Sequence, residues 1–466
     1  MNATERSEGT TESERRLARL CEGTFMDLWS YPNVFRDDRG LGKEVCDLLV
    51  VFDHHVIIFS DKHVEYGSDP TVAWKRWYKK AIARSAAQLE GGRRWIATHP
   101  DRLFLDRACT QRFPLAIPSP DEASYHLVVV ASGARASCRR HFGRGSGSLM
   151  LDYEHNPSDV LFRVGNPSRN SFVHVFDEGS LPILLGELDT VADFVEYIQT
   201  KEDLVRNGRL ISAPGEEDFL AYYLASNHLS ESCAFRLPMF SEESEHVVRV
   251  GAGAWERLQS LPEYSAKQRV DRSSEIWDDL IGQFTKNMLA GTSIVRNGEL
   301  DLRMHERGVR EMAREPRLQR RLLGQAIIDA AHHPDAATGL YRTMLGPSPA
   351  HTAYVFWQVP YEAEIYGNDG YEGYRNERLM RLLMYIMALR AKLGKGDRFV
   401  GLAMEPLLKP EPGRSEDLAF YDTSNWSNDD QRVGEEAERI LATQRRGPLD
   451  LEGTWVSSFK FPGSGM

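Results

Sequence analysis

Residues 43–62 read KEVCDLLVVFDHHVIIFSDK, and no other stretch constrains the fold so tightly. Two apolar runs, 48–52 and 56–59, flank an Asp-His-His turn and are rich in Val, Ile and Phe. β-branched and aromatic residues in two short runs around a polar turn specify a β-hairpin. Runs this apolar belong inside a sheet covered on both faces, the arrangement of an α/β protein. Acidic residues stand at both ends of the ribbon: Glu44 and Asp47 at its entrance, Asp61 beside Lys62 at its exit. A turn centred on residues 53–55 makes Asp47 a neighbour of the Ser60-Asp61-Lys62 end. By strand alternation Lys62 lies on the side of Ser60, and Asp61 on the side of Phe59.

A helix precedes the ribbon, over residues 14–29, with Leu17, Leu20, Phe25 and Leu28 at helical spacing, Glu22 on its face and Pro32 as its stop. Another follows over 72–96. Its Trp74, Trp77, Ala81, Ile82 and Ala86 can pack inward, while Lys75, Arg76, Lys79, Lys80 and Arg84 put positive charge outward, as on a helix that contacts phosphates. The remaining pattern gives strands at 102–105, 125–131 and 172–177 and helices at 181–205 and 215–226. The acids Glu216, Glu217 and Asp218 favour the N-terminal dipole of the last of these. Gly143, Gly145 and Gly147 lack the Gly-Lys-Ser/Thr of a phosphate loop and read as a flexible turn. Residues 236–246 read as an acidic loop and 252–345 as helical. The mixed charges of 303–321, interrupted by Pro316, read as salt-bridged surface. Strand patterns return at 354–359 and 399–404 around a helix over 374–393, a βαβ crossover with Glu405, Glu416 and Asp417 as a second group of acids.

These patterns divide the chain into a polar, unstructured tail (1–13), an α/β domain (14–232), a mainly helical region (233–350) and a C-terminal α/β region (351–466). At 466 residues more than one core is expected. A net charge of −11 excludes a generally basic nucleic-acid binder and confines any such contact to local patches. Five scattered cysteines with no CxxC pair argue against a zinc ribbon or a disulfide framework. With no apolar run of about 20 residues and a polar beginning, the expectation is a cytoplasmic protein without membrane contact.

A helix carrying a glutamate, then a hairpin with an aspartate on its first strand and an acid next to a lysine on its second, then a helix, resembles the PD-(D/E)XK, or restriction-endonuclease-like, nuclease superfamily. The resemblance covers residues 14–96. It implies a mixed sheet flanked by helices and hydrolysis of phosphodiester bonds, in DNA before RNA, with Mg²⁺ or Mn²⁺. Carried over residue by residue, Asp47 matches the first-strand aspartate, Lys62 the lysine and Glu22, loosely, the helical glutamate. Gln88 resembles the glutamine of RecB-type members. The sequence departs from the pattern at the middle acid: the position two before Lys62 is Ser60. Asp61, next to it, or Glu44 then has to take that place. The implied catalytic set is Asp47, Asp61 and Lys62 with Glu44 and Glu22, the metal ligands being Asp47 and Asp61. Lys75, Arg76, Lys79, Lys80, Arg84 and Gln88 would hold the nucleic acid. A role in antiviral genome defence is an analogy, and the C-terminal half is left for recognition, a protein partner or a second copy. The alternative is a catalytically inactive nuclease-like protein that binds nucleic acid or protein, for which Ser60 is the best support.

Overall fold

The computed structural model describes residues 6–38, 40–68, 70–143, 145–225, 247–293, 301–333, 340–345, 352–394, 396–406 and 415–443. The fold is mixed α/β, about half helix, with mixed open sheets and no barrel. By contacts the chain divides into two compact units, residues 1–265 with 282–306 and residues 266–281 with 307–466. The expected helical region is thus shared between them.

The first unit begins with α1 (Glu12–Trp29), β1 (Ser30–Asp38), β2 (Leu41–Phe52) and β3 (His55–His63). Helix α2 (Pro70–Tyr78) runs through a π turn at Lys79–Ala83 into α3 (Arg84–Thr98), and β4 (Leu103–Phe104) and β5 (Ser124–Ser132) follow. Then come α4 (Arg135–Phe142), β6 (Met150–Asp152), β7 (Arg163–Val164), β8 (Val173–Asp177), α5 (Ser180–Glu187) and α6 (Val191–Arg206). The remaining elements are β9 (Leu210–Ala213), α7 (Glu216–Ala225), β10 (Val248–Arg249) and α8 (Ala254–Gln259). Six strands form one sheet in the order β4-β1-β2-β3-β5-β8. It is antiparallel up to β3 and parallel from β3 through β5 to β8. A smaller sheet has the order β10-β9-β6-β7.

The ribbon is the centre of the large sheet. Leu48 pairs with Phe59 and Phe52 with His55, so the turn is Asp53-His54, Asp53 taking φ 55°. Every residue from Val45 to Phe52 is buried. One sheet face meets α1, where the Phe25 ring lies 6.0 Å from Phe59 and Trp29 lies 5.1 Å from Phe52. Helix α3 packs on the sheet at Gly92, where a Cβ would come within 3.0 Å of the Val45 carbonyl oxygen.

Several local expectations are corrected. Residues 6–11 are not a loose tail: Arg6 pairs with Asp27 and donates to the Ser30 carbonyl at 2.6 Å, and Ser7 donates to Asn33 at 2.8 Å. Thr11 and Glu14 form a reciprocal cap that starts α1. The stretch after α1 is a strand, with Pro32 inside it, because the chain kinks at Met26 (φ 56°) and enters the sheet directly. The 181–205 helix is two helices, broken before Thr190, whose side chain caps α6. Residues 135–142, to which the sequence pattern assigned no element, are helix α4, anchored by buried Cys138 and ended by Gly143 at φ 65°.

The second unit, with the helices around its boundary, comprises α9 (Pro262–Asp271), α10 (Glu275–Leu289), α11 (Leu302–Ala313), α12 (Arg317–Ala331), β11 (Leu340–Leu345) and β12 (Thr352–Gln358). It continues with α13 (Ala363–Tyr366), α14 (Gly370–Leu393), β13 (Arg398–Met404), β14 (Glu416–Asp422) and α15 (Asn428–Thr443). The sheet order is β11-β12-β13-β14, and β12 and β13 are parallel, as the crossover pattern requires. Residues 340–345, expected to be helical, form strand β11. Pro316 does separate two helices, standing as the cap of α12. The charges around it are not surface: Glu311, Glu315, Arg317, Arg320 and Arg321 are buried, with Arg320 bonded to Asp278 at 2.8 Å and Arg398 to Glu311 at 3.1 Å. The acidic loop expected at 236–246 and Cys233 lie outside the described residues. Among the described residues no helix is long and apolar enough to cross a membrane.

Candidate active site

Asp47 is only 5% exposed, and one of its carboxylate oxygens accepts the backbone N–H of Asp61 at 2.6 Å. The contact ties the two arms of the ribbon where β2 and β3 end their regular pairing. Burial, then the nearby negative charge of Glu44, push the Asp47 carboxyl up to about 7, against the opposing influence of the Asp61 amide and Lys62. Glu44, half-buried, is also raised, first by burial; the bond from Asn33 opposes this and the charge of Glu14 adds to it.

Glu14 was not foreseen, and it is the glutamate of the helix that joins the cluster. Asn33 bridges it to Glu44: its side-chain amide donates to Glu14 at 3.0 Å and to Glu44 at 2.8 Å. Burial pushes Glu14 up, but the bonds from Asn33 and from the Thr10 and Thr11 amides outweigh it, and its carboxyl is held below the usual range. The sequence signal was the Thr11-x-x-Glu14 capping box. Glu22 stands elsewhere on α1. It is exposed, and its carboxyl is raised by partial burial and by Asp27, offset by Arg6.

Asp61 enters this cluster through its amide rather than its carboxylate. Successive strand residues face opposite sides, so Asp61 shares the α1 side with Phe59. There it lines a small cavity of about 40 Å³ with Ser13, Arg16, Leu17, Ser132 and Glu178. Burial raises its carboxyl, a bond from Ser13 opposing. Lys62 is exposed on the other side, with Asp47 and Glu44 both feeling its charge. Ser60 is fully buried, and its hydroxyl has no hydrogen-bond partner. It supplies no charge at the middle-acid position.

Among the described residues no three His, Cys, Asp or Glu side chains are arranged to hold a metal ion. Mg²⁺ needs less: one or two carboxylates, with waters and substrate phosphate filling the other positions. Asp47 and Glu44 fit that donor chemistry, being hard oxygens whose carboxyls are raised first by burial and then by neighbouring negative charge. His54 and His55 sit at the far end of the ribbon, where His55 lies 3.1 Å from His126.

The predicted basic face is present. Lys75, Arg76, Lys79, Lys80, Arg84 and Gln88 are all exposed on the α2–π–α3 rod. Among the described residues none of the five cations has a carboxylate within ion-pair distance. Trp74 and Trp77 hold the rod down, their indole N–H groups donating to the Pro157 carbonyl at 3.1 Å and the Val64 carbonyl at 2.8 Å.

The other acids are engaged. Glu216 is paired with Lys201 in the core, and Asp218 accepts the Trp255 amide at 3.0 Å. In the second unit, Asp417 is held by Arg375 at 2.6 Å and Arg378 at 2.5 Å, while Tyr371 donates to Glu405. Asp417 is thereby neutralised by two arginines, whereas Glu405 is engaged by a neutral hydroxyl.

No protein-family model, curated protein or solved structure matches this chain.

Proposed function

We propose that the first unit is a metal-dependent nuclease of the PD-(D/E)XK kind that hydrolyses phosphodiester bonds, in DNA before RNA. The observation that carries this reading is the buried Asp47 carboxylate, tied to the second arm of the ribbon and driven up to about 7 beside Glu44, with Lys62 at the rim. The order α1, β1, β2–β3 hairpin, α2–α3, a helix–hairpin–helix succession with one added strand, supports it as well. Asp47 and Glu44 would hold Mg²⁺ or Mn²⁺, which when bound polarises the phosphate and acidifies a coordinated water. Asn33 fixes Glu44, and the Asp61 amide fixes Asp47, so both carboxylates are oriented before substrate arrives. The Lys62 ammonium offsets the charge that develops on the phosphate in the transition state. The exposed cations of α2–α3 bind the backbone of the nucleic acid.

Incubation of plasmid, single-stranded DNA and RNA with Mg²⁺ or Mn²⁺ tests the reading. Cleavage is expected in metal and lost in chelator. Asp47→Ala and Lys62→Ala are each expected to lower it by at least about 100-fold, the size of effect seen when one charge-stabilising group is removed. Cleavage that survives both substitutions places the chemistry elsewhere. The basic face has its own readout. Changing Lys75, Arg76, Lys79 and Lys80 to Gln should flatten the slope of log affinity against log salt by roughly 0.9 per lost phosphate contact. An unaltered slope would exclude that face from binding.

The second reading is an inactive nuclease-like binding protein, favoured by the uncharged Ser60 in the middle-acid position. It predicts nucleic-acid binding with the same salt slope and no cleavage in any metal.

A further inference from the structure

Helix α4 and the start of α1 enclose a second feature, an open concavity of about 830 Å³ lined by Arg16, Arg135, Arg139, Arg140 and Glu178. We propose that it is a binding pocket for a phosphomonoester. It lies at the carboxyl ends of two parallel strands: β5 ends at Ser132 immediately before α4, and β8 ends at Asp177 immediately before Glu178. Open α/β sheets take ligands at that edge, because the strand ends and the following turns leave a crevice there.

The charge selects the ligand. Among the described residues none of the four arginines has a carboxylate within ion-pair distance. Their hydrogen bonds go to neutral acceptors instead: Arg135 donates to the Ser146 carbonyl at 3.0 Å, Arg140 to the Ser137 hydroxyl at 3.1 Å and Arg16 to the Glu178 carbonyl at 3.4 Å. These bonds orient three of the four guanidinium groups without cancelling their charge. Four guanidinium groups against the one carboxylate of Glu178 leave a formal charge of +3 in the lining. A phosphodiester brings a single negative charge. A phosphomonoester brings about −1.5 to −2 near neutral pH and three acceptor oxygens, which suits several planar forks closing on one group. The pocket is separate from the carboxylate cluster: none of Glu14, Glu44, Asp47 or Lys62 lines it.

Two sources carry this chemistry, a free nucleotide and the phosphorylated end of a nucleic acid strand. Fluorescence anisotropy and calorimetry on the full chain, in chelator so that no cleavage can occur, distinguish them. One pair of probes is an oligonucleotide with a 5′-phosphate and the same oligonucleotide with a 5′-hydroxyl. The other is a nucleoside 5′-monophosphate and its nucleoside. The expected result is a preference of at least about tenfold for the phosphorylated member. It should disappear in the Arg139→Gln/Arg140→Gln double variant and return in part with lysine at both positions. A preference within the oligonucleotide pair identifies a strand end; one confined to the nucleotide pair identifies a free nucleotide. Absence of a preference in both pairs, or its survival in the glutamine variant, overturns the proposal. Both arginines are exposed, so the variants are expected to fold. Because hydrolysis plays no part in the measurement, this proposal and the nuclease reading fail separately.

Discussion

At pH 8 the Asp47→Asn protein unfolds at a higher temperature than the unsubstituted chain, and the gap closes as the pH is lowered towards 4. The folded carboxyl keeps its proton up to about pH 7, whereas an aspartate in the unfolded chain releases it near 3.8. Between these values the folded state binds the extra proton, so stability falls as pH rises through the window and levels off above it. A shift of this size is worth roughly 2–4 kcal/mol at a largely buried site. Asparagine has no charge to bury, and its side-chain oxygen can still accept the Asp61 amide. The raised Glu44 carboxyl contributes in the same direction in both proteins. Thermal unfolding of both chains from pH 4 to 8 measures the effect. A gap that is constant across that range means that Asp47 is not charged against its surroundings. Mg²⁺ should narrow the gap by stabilising the unsubstituted chain alone, since a ligand that binds only the folded state adds its binding free energy to stability.

Lys201→Met is expected to cost about 3–5 kcal/mol, the usual consequence of stripping one partner from a buried ion pair. Lys201 of α6 and Glu216 of α7 are 1% and 2% exposed and lie 2.5 Å apart, and the Tyr197 hydroxyl donates to the same carboxylate at 2.5 Å. Burial lowers the lysine, opposed by Glu216. Without the ammonium, Glu216 keeps only the tyrosine among the described residues. The Lys201→Met/Glu216→Leu double variant should recover most of the loss, because removing both charges also removes their desolvation cost. Urea denaturation of the two variants decides the matter. A single-variant loss below about 1 kcal/mol, within the range of exposed pairs, would show that water reaches the pair. The sequence had suggested that Glu216 answers a helix dipole; its burial beside a lysine fifteen residues earlier in the chain is the stronger constraint.

Some of this was readable from local pattern. Two β-branched runs around Asp53-His54 can form little but a hairpin, and Trp74, Trp77, Ile82 and Ala86 on one stripe left the cations of α2–α3 no face but the solvent. Helix α4 was hidden because it is short and arginine-rich and buries only Cys138, giving no apolar period to read. Glu14 was hidden because it takes part through Asn33, nineteen residues away, on a strand the sequence did not reveal.

The sequence by itself determined the ribbon, the helices on either side of it and the presence of acids at both its ends, since each follows from side-chain periodicity over a few residues. Only the tertiary structure decided which acids meet. It is the Asp61 amide, not its carboxylate, that reaches Asp47, and the packing of α1 and β1 brings Glu14 and Asn33 to Glu44. The main charge that Asp47 feels comes from Glu44, three residues away, but the burial that raises its carboxyl most exists only once the sheet is covered.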